Sequence, residues 1–125
     1  MPTLAIPHLF SPGVVRRVVT PGRAGAYALG YDNGGFVVGY VGRSDHSVCD
    51  RLATHERLGE FDYFIVRYAR GPVAAFALEC EYWHACRQSG LALANVIHPA
   101  APRGSGAACP YCHFATHVQG LLTAA

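Results

Sequence analysis

Two tyrosines, an arginine, a histidine and an isolated carboxylate are spaced along this chain as parts that could hydrolyse a phosphodiester with one metal ion. Tyr27 closes Gly25-Ala26-Tyr27, and Tyr40 opens Tyr40-Val41-Gly42-Arg43-Ser44. Arg51 and His55 follow, four residues apart, and Glu79 then ends the apolar run Ala74-Ala75-Phe76-Ala77-Leu78. Phosphodiester cleavage needs an activated nucleophile, charge neutralisation on the phosphoryl oxygens and help for the leaving oxygen. The planar fork of arginine suits a phosphate. Mg²⁺ keeps several waters and needs only one or two carboxylates. A carboxylate on an apolar segment costs stability unless it is exposed or liganded, which singles out Glu79.

A second set, Cys80, His84, Cys109 and Cys112, has the spacing of a structural zinc site. Cys80 and His84 stand at i and i+4, on one face of a helix. Cys109-Pro110-Tyr111-Cys112 forms a Cys-x-x-Cys knuckle, with 24 residues between the two pairs. Four such donors suit tetrahedral Zn²⁺ in a closed site. An alternative set replaces His84 with His98, His113 or His117. At about 100° per residue, Glu79 lies about 100° from Cys80 and about 140° from His84, so the carboxylate and the zinc pair can face different ways. Cys86 and Cys49 read as core residues.

These side chains must be positioned by a small body. The 125 residues imply one domain, and 51% hydrophobic residues allow a modest core that a metal staple would reinforce. A net charge of +2 argues against a general polyanion binder. All ten basic residues are arginines, which can still form a local phosphate-binding face. The first residues lack the basic start and cleavage site of a secretion signal, and no apolar run approaches 18 residues. Five cysteines, two of them in a knuckle, point to metal binding in a reducing, cytoplasmic setting.

Residues 1–23 read as a proline-rich arm, with an edge strand expected at the β-branched run Val14–Thr20. Two apolar runs, 25–30 and 36–41, flank Asp32-Asn33-Gly34-Gly35, which predicts a hairpin. The spacing of Val48, Leu52 and His55 predicts a helix over 47–58, stopped by Gly59. Residues 61–68 predict a strand, and Pro72 opens a long helix running to Gly90. A short element at 91–96, a loop at 100–108, and a knuckle leading into a final helix complete the chain. This order describes an α+β fold: a small antiparallel sheet flanked by helices.

With the ordered set Gly25-Ala26-Tyr27, Tyr40-Val41-Gly42, Arg51, His55, Glu79 and Asn95, residues 24–97 resemble a GIY-YIG endonuclease domain. Ala26 departs from the usual isoleucine, a matter of packing. The run Glu79-Cys80-Glu81-Tyr82-Trp83-His84, with Asn95, His98-Pro99 and the Cys-Pro-Tyr-Cys knuckle, resembles small bacterial members whose zinc ties residues 98–125 onto the glutamate helix. The resemblance implies that Tyr27 is the general base, with Tyr40 beside it, and that Arg51 grips the scissile phosphate. His55 would position water or accept a proton from a tyrosine, and Glu79 would hold Mg²⁺ (or Mn²⁺). Gly42, Arg43, Ser44 and Asn95 would approach the substrate.

The expected function is Mg²⁺-dependent cleavage of DNA to a 3′-hydroxyl and a 5′-phosphate, with a protein partner or a dimer supplying specificity and no membrane involved. The alternative is a zinc-stabilised nucleic-acid-binding or interaction module with weak or no catalysis.

Overall fold

The hairpin predicted around Asn33-Gly34 is the centre of the fold. In this computed structural model, which describes residues 6–112, β2 (Gly25–Asp32) and β3 (Phe36–Ser44) pair antiparallel from Gly25↔Ser44 to Asp32↔Phe36. Gly34 and Gly35 take φ of 77° and 152°, and the Asp32 side chain accepts from the Gly35 N–H. The register slips by one residue at Leu29/Gly30. β4 (Tyr63–Tyr68) pairs antiparallel with the other side of β2, and a two-residue β1 (His8–Leu9) closes that edge, giving the order β1-β4-β2-β3. The fold is therefore α+β with a four-stranded antiparallel sheet.

Strand alternation sorts the buried residues onto two faces. One face carries Tyr27, Leu29 and Phe64, which pack with Phe10, Val15, Val19, Val48, Cys49 and Leu52. α1 (Pro12–Val18) and α2 (Val48–Ala53) supply the helical part of that core. The other face carries the fully buried Ala26 and Ala28, over which α3 (Pro72–Gln88) packs with Trp83 and Cys86. Both Cys49 and Cys86 are core residues, as expected. Two alanines at the centre of β2 leave room for a helix to lie close.

Val14–Thr20 does not form a strand: Pro12–Val18 is helical. The Ser11 side chain caps the Val14 N–H and Pro12 stands at the first turn, a start signal that outweighs β-branched propensity. The edge strand of the arm is β1 instead. α2 ends at Ala53, short of the expected 58, because Thr54 turns its hydroxyl back onto the Asp50 carbonyl and His55 bonds back to Leu52. Gly59, at φ 93°, serves the turn that follows. α3 stops at Gln88, with Gly90 at φ 76° just beyond it.

Residues 91–96 form neither helix nor strand but a strap along the open edge of β3. The Ala94 N–H donates to the Gly39 carbonyl. The Asn95 side chain accepts from the Val41 N–H and donates to the Val41 carbonyl, as a paired strand would. The Trp83 indole N–H holds the Asn95 carbonyl at 3.2 Å. Covering an exposed edge in this way removes a template for unwanted pairing. The final helix expected after the knuckle lies largely outside the described residues.

Asn95→Ala removes both bonds to Val41 and should cost about 1–3 kcal/mol, read from urea unfolding midpoints at unchanged slope.

Candidate active cleft and metal cluster

An open cleft of about 270 Å³ is lined by Tyr27, Tyr40, Gly42, Arg43, Asp45, Arg51, Glu79 and Ala100. Its walls come from β2, β3 and the turn after it, α2, α3 and Ala100, which extends the strap to residue 100. The register sets Tyr27 opposite Gly42, and the Tyr27 phenol lies where a side chain at position 42 would stand. Gly42, expected to admit a phosphate to the backbone, therefore makes room for Tyr27. Tyr40 stacks against Tyr27 with ring centroids 6.4 Å apart, and the Arg57 guanidinium lies over the outer Tyr40 ring.

His55 is 2% exposed, and its Nε2 lies 2.8 Å from the Tyr27 hydroxyl. The Arg57 backbone N–H donates to His55 Nδ1 at 3.0 Å. An amide can only donate, so Nδ1 carries a lone pair, and the neutral ring has its proton on Nε2. Burial first, and Arg51 second, push the His55 pKa down to about 4, so the ring is neutral at pH 7. His55 thus donates to the Tyr27 oxygen, and the expectation that it accepts a tyrosine proton does not hold for this tautomer. The Tyr27 phenol is held well above the usual tyrosine range by burial, opposed by the nearby Arg51 guanidinium.

Glu79 is 8% exposed and lies at the floor of the cleft. Burial raises its carboxyl, and Arg43 opposes that by donating from Nη1 to Oε1 at 2.7 Å. Arg43 also donates from Nε to Asp45 at 2.7 Å and from Nη1 to the Ala100 carbonyl at 2.6 Å. No bond to Glu79 Oε2 occurs among the described residues, and no buried side-chain oxygen is left unpartnered there, so Oε2 opens on the cleft. Ser44, expected near the substrate, instead accepts the His46 and Ser47 N–H groups in the turn before α2. Asn95 is spent on Val41.

A second convergence lies beyond α3. The donor atoms of His84, His98, Cys109 and Cys112 all fall within 4.8 Å of one another and are placed to hold a metal ion. His98 Nδ1 lies 2.7 Å from the Pro99 carbonyl and must donate to it, which leaves the Nε2 lone pair aimed into the cluster. Cys80, expected as a ligand, is not one of the four: it is fully buried against Phe76, Cys109 and Cys112. His98 enters in place of Cys80, not of His84. Tyr111 ties the knuckle to α3 by donating to Glu81, which also pairs with Arg67. The alternative ligands His113 and His117 lie outside the described residues.

The structure thus brings Tyr27, Tyr40, Gly42, Arg43, Arg51 and Glu79 to one cleft, with His55 directly behind Tyr27. Asp45 and the Ala100 carbonyl also line it without having been singled out; an acidic residue two places beyond Arg43 was the available signal. No helix among the described residues is long and apolar enough to cross a membrane. Comparisons with protein-family models, curated proteins and solved structures gave no match.

A histidine held neutral in the fold but free to protonate when unfolded makes stability depend on pH. With a folded pKa of about 4 against an ordinary 6.5, the contribution of His55 is complete above pH 6.5 and is lost as pH falls toward 4. The loss is on the order of 3 kcal/mol. Unfolding curves of the wild type and His55→Gln between pH 7 and 4 should converge by that amount as pH drops; parallel curves would refute the assignment.

Proposed function

We propose that the cleft hydrolyses DNA phosphodiesters in the manner of a GIY-YIG endonuclease, and that the His/Cys cluster holds a structural Zn²⁺. The observation that carries the reading is the convergence of Tyr27, Tyr40, Arg51 and Glu79, far apart in sequence, on one polar cleft with His55 bonded to Tyr27. A convergence of this kind supports a reaction rather than a packing role, because each group has a task in phosphoryl transfer.

Arg51 is 41% exposed at its side chain and faces the cleft, so it can clamp a phosphate from solvent. Glu79 fits a divalent cation: Oε1 is fixed by Arg43, Oε2 opens on the cleft, and there is space for retained waters. Mg²⁺ bound there would supply Lewis-acid stabilisation of the leaving 3′ oxygen. Tyr27 removes the proton of the attacking water as a phenolate. The His55 N–H and the Arg51 charge both favour that anion against the cost of burial. Water oxygen bonds to phosphorus, the P–O3′ bond breaks, and a proton is returned to the 3′ oxygen, leaving a 5′-phosphate.

Zinc is favoured by the donor set, two imidazole nitrogens and two cysteine sulfurs within 4.8 Å of one another. A tetrahedron with nitrogen at ~2.05 Å and sulfur at ~2.3 Å has N···N edges near ~3.3 Å and N···S edges near ~3.5 Å. Here His84 Nε2 and His98 Nε2 are 3.3 Å apart, and Cys109 Sγ lies 3.5 Å from His84 Nε2. Cys112 Sγ lies 3.2 Å and 3.1 Å from the two imidazoles, closer than such an edge.

One observation favours the second reading, a nucleic-acid-binding module with weak catalysis: burial makes the Tyr27 phenolate costly. Assays on single-stranded, duplex and branched DNA with Mg²⁺ or EDTA separate the two. Endonuclease activity requires Mg²⁺ and falls by at least about 10²-fold in Glu79→Ala and Arg51→Ala. Salt-dependent binding with no turnover on any substrate would leave the module.

A base whose pKa lies well above neutrality is mostly in its inactive form at pH 7. The turnover rate should therefore climb steadily from pH 7 to 9, by up to about tenfold per unit, and Tyr27→Phe should abolish both the rise and most of the rate. A flat profile would remove Tyr27 from the role of base.

A further inference from the structure

The metal cluster and the cleft are joined by a short, continuous run of chain. Asn95 is fixed to β3 by its side chain and to Trp83 by its carbonyl. Three residues on, His98 points Nε2 into the cluster and packs its ring against Trp83, with centroids 5.0 Å apart. Pro99 is buried, and its carbonyl takes the His98 Nδ1 proton. The next carbonyl, that of Ala100, accepts from Arg43 Nη1, the same nitrogen that donates to Glu79 Oε1. Only one residue lies between a metal donor and the acceptor that orients the Glu79 partner.

The donor inventory of Arg43 bears on its task. Nε is committed to Asp45, and Nη1 is committed to Glu79 and Ala100. An arginine that gripped a phosphate would keep an edge of its fork for the ligand. The Arg43 side chain is only 14% exposed, against 41% for Arg51. Arg51 is the more open of the two to a phosphate, while three of the five Arg43 N–H donors are bonded to the protein.

We propose that Arg43 is a positioning residue that links Glu79 to the occupancy of the His84/His98/Cys109/Cys112 cluster, through the Pro99–Ala100 carbonyl strap. A metal in the cluster fixes His98, and fixing His98 fixes the Ala100 carbonyl one peptide beyond Pro99. That carbonyl and Asp45 set the plane of the guanidinium. The guanidinium then takes Glu79 Oε1 and leaves Oε2 toward the cleft. Releasing the cluster removes one of three acceptors and frees the fork to rotate. The role of Glu79 in catalysis rests on the endonuclease reading; the link itself does not.

The test reads the Arg43 Nη1–H signal, whose acceptors are Ala100 and Glu79, by NMR in the full zinc-loaded chain, assigned by its loss in Arg43→Lys. Its exchange with water should be slow, and stripping the metal with a chelator should speed it about tenfold or more, the worth of one hydrogen bond. The Ala26 and Ala28 amides in β2 should stay protected. An unchanged rate in stripped, folded protein overturns the link. Should stripping unfold the sheet, His98→Asn decides, because His84, Cys109 and Cys112 still hold zinc. Faster Arg43 exchange in that variant supports the link, and an unchanged rate overturns it. Kinetics then separate positioning from phosphate binding: Arg43→Lys should lower kcat about tenfold with KM for DNA unchanged. A rise in KM at constant kcat overturns the positioning role. Absence of cleavage by the wild type defeats the endonuclease reading alone, since the exchange measurement needs no turnover.

Discussion

The structure turns on a carboxylate that the fold buries at the floor of a cleft. Glu79 lies on the face of α3 that packs against the sheet, where a lone charge would cost several kcal/mol. Arg43 makes that position tenable, and it does so only by drawing on three acceptors from separate stretches of chain: the turn after β3, helix α3 and the strap. Everything that brings those stretches together serves this contact. The hairpin delivers Arg43, the alanines of β2 let α3 approach, and the edge-covering strap delivers Ala100. The polar cleft is what remains when a charged cluster is assembled between tightly packed apolar layers.

Much of this arrangement was legible in the sequence because it is local. Asn33-Gly34-Gly35 fixes a hairpin by its φ requirements, and the one-residue slip at Leu29/Gly30 then sets Tyr27 opposite Gly42. Pro72 and Gly90 bracket α3 for equally local reasons. In the arm, the Ser11-Pro12 helix start overrides the β-branched residues that follow it, so the expected strand is a helix. The exchange of Cys80 for His98 has a different origin. An i, i+4 pair on a helix is visible in a sequence, whereas His98 reaches the cluster only because Asn95 is bound across the sheet edge to Val41. No period or propensity encodes that path. Gly42, Ser44 and Asn95, expected at the substrate, make contacts that serve the scaffold.

The two convergences differ in character. The cleft is polar and open, and burial holds Tyr27 and Glu79 above their ordinary protonation range against the opposing pull of Arg51 and Arg43. The His/Cys cluster gathers four protein donors and is backed by Trp83, Cys80 and Phe76, with a carbonyl fixing the tautomer of one imidazole. One arrangement suits exchange of ligands with solvent, the other retention. Helix α3 carries members of both, Glu79 on the sheet side and His84 a turn and a half later.

The strap also determines where the chain can change length. From Asn95 to Ala100 each residue is counted: a side chain on Val41, a ring in the cluster, a carbonyl on Arg43. An insertion of one residue there would put the wrong group at every later station. Beyond it, Arg103 to Gly106 is an exposed turn with two left-handed glycines, held only by local bonds from the Ser105 N–H to Pro102 and from the Ala107 N–H to the Ser105 hydroxyl. Added residues in that turn meet no such constraint. Variation in this fold should therefore gather in the turn before the knuckle, while the spacing of Asn95, His98 and Ala100 stays invariant as a ruler between the two sites.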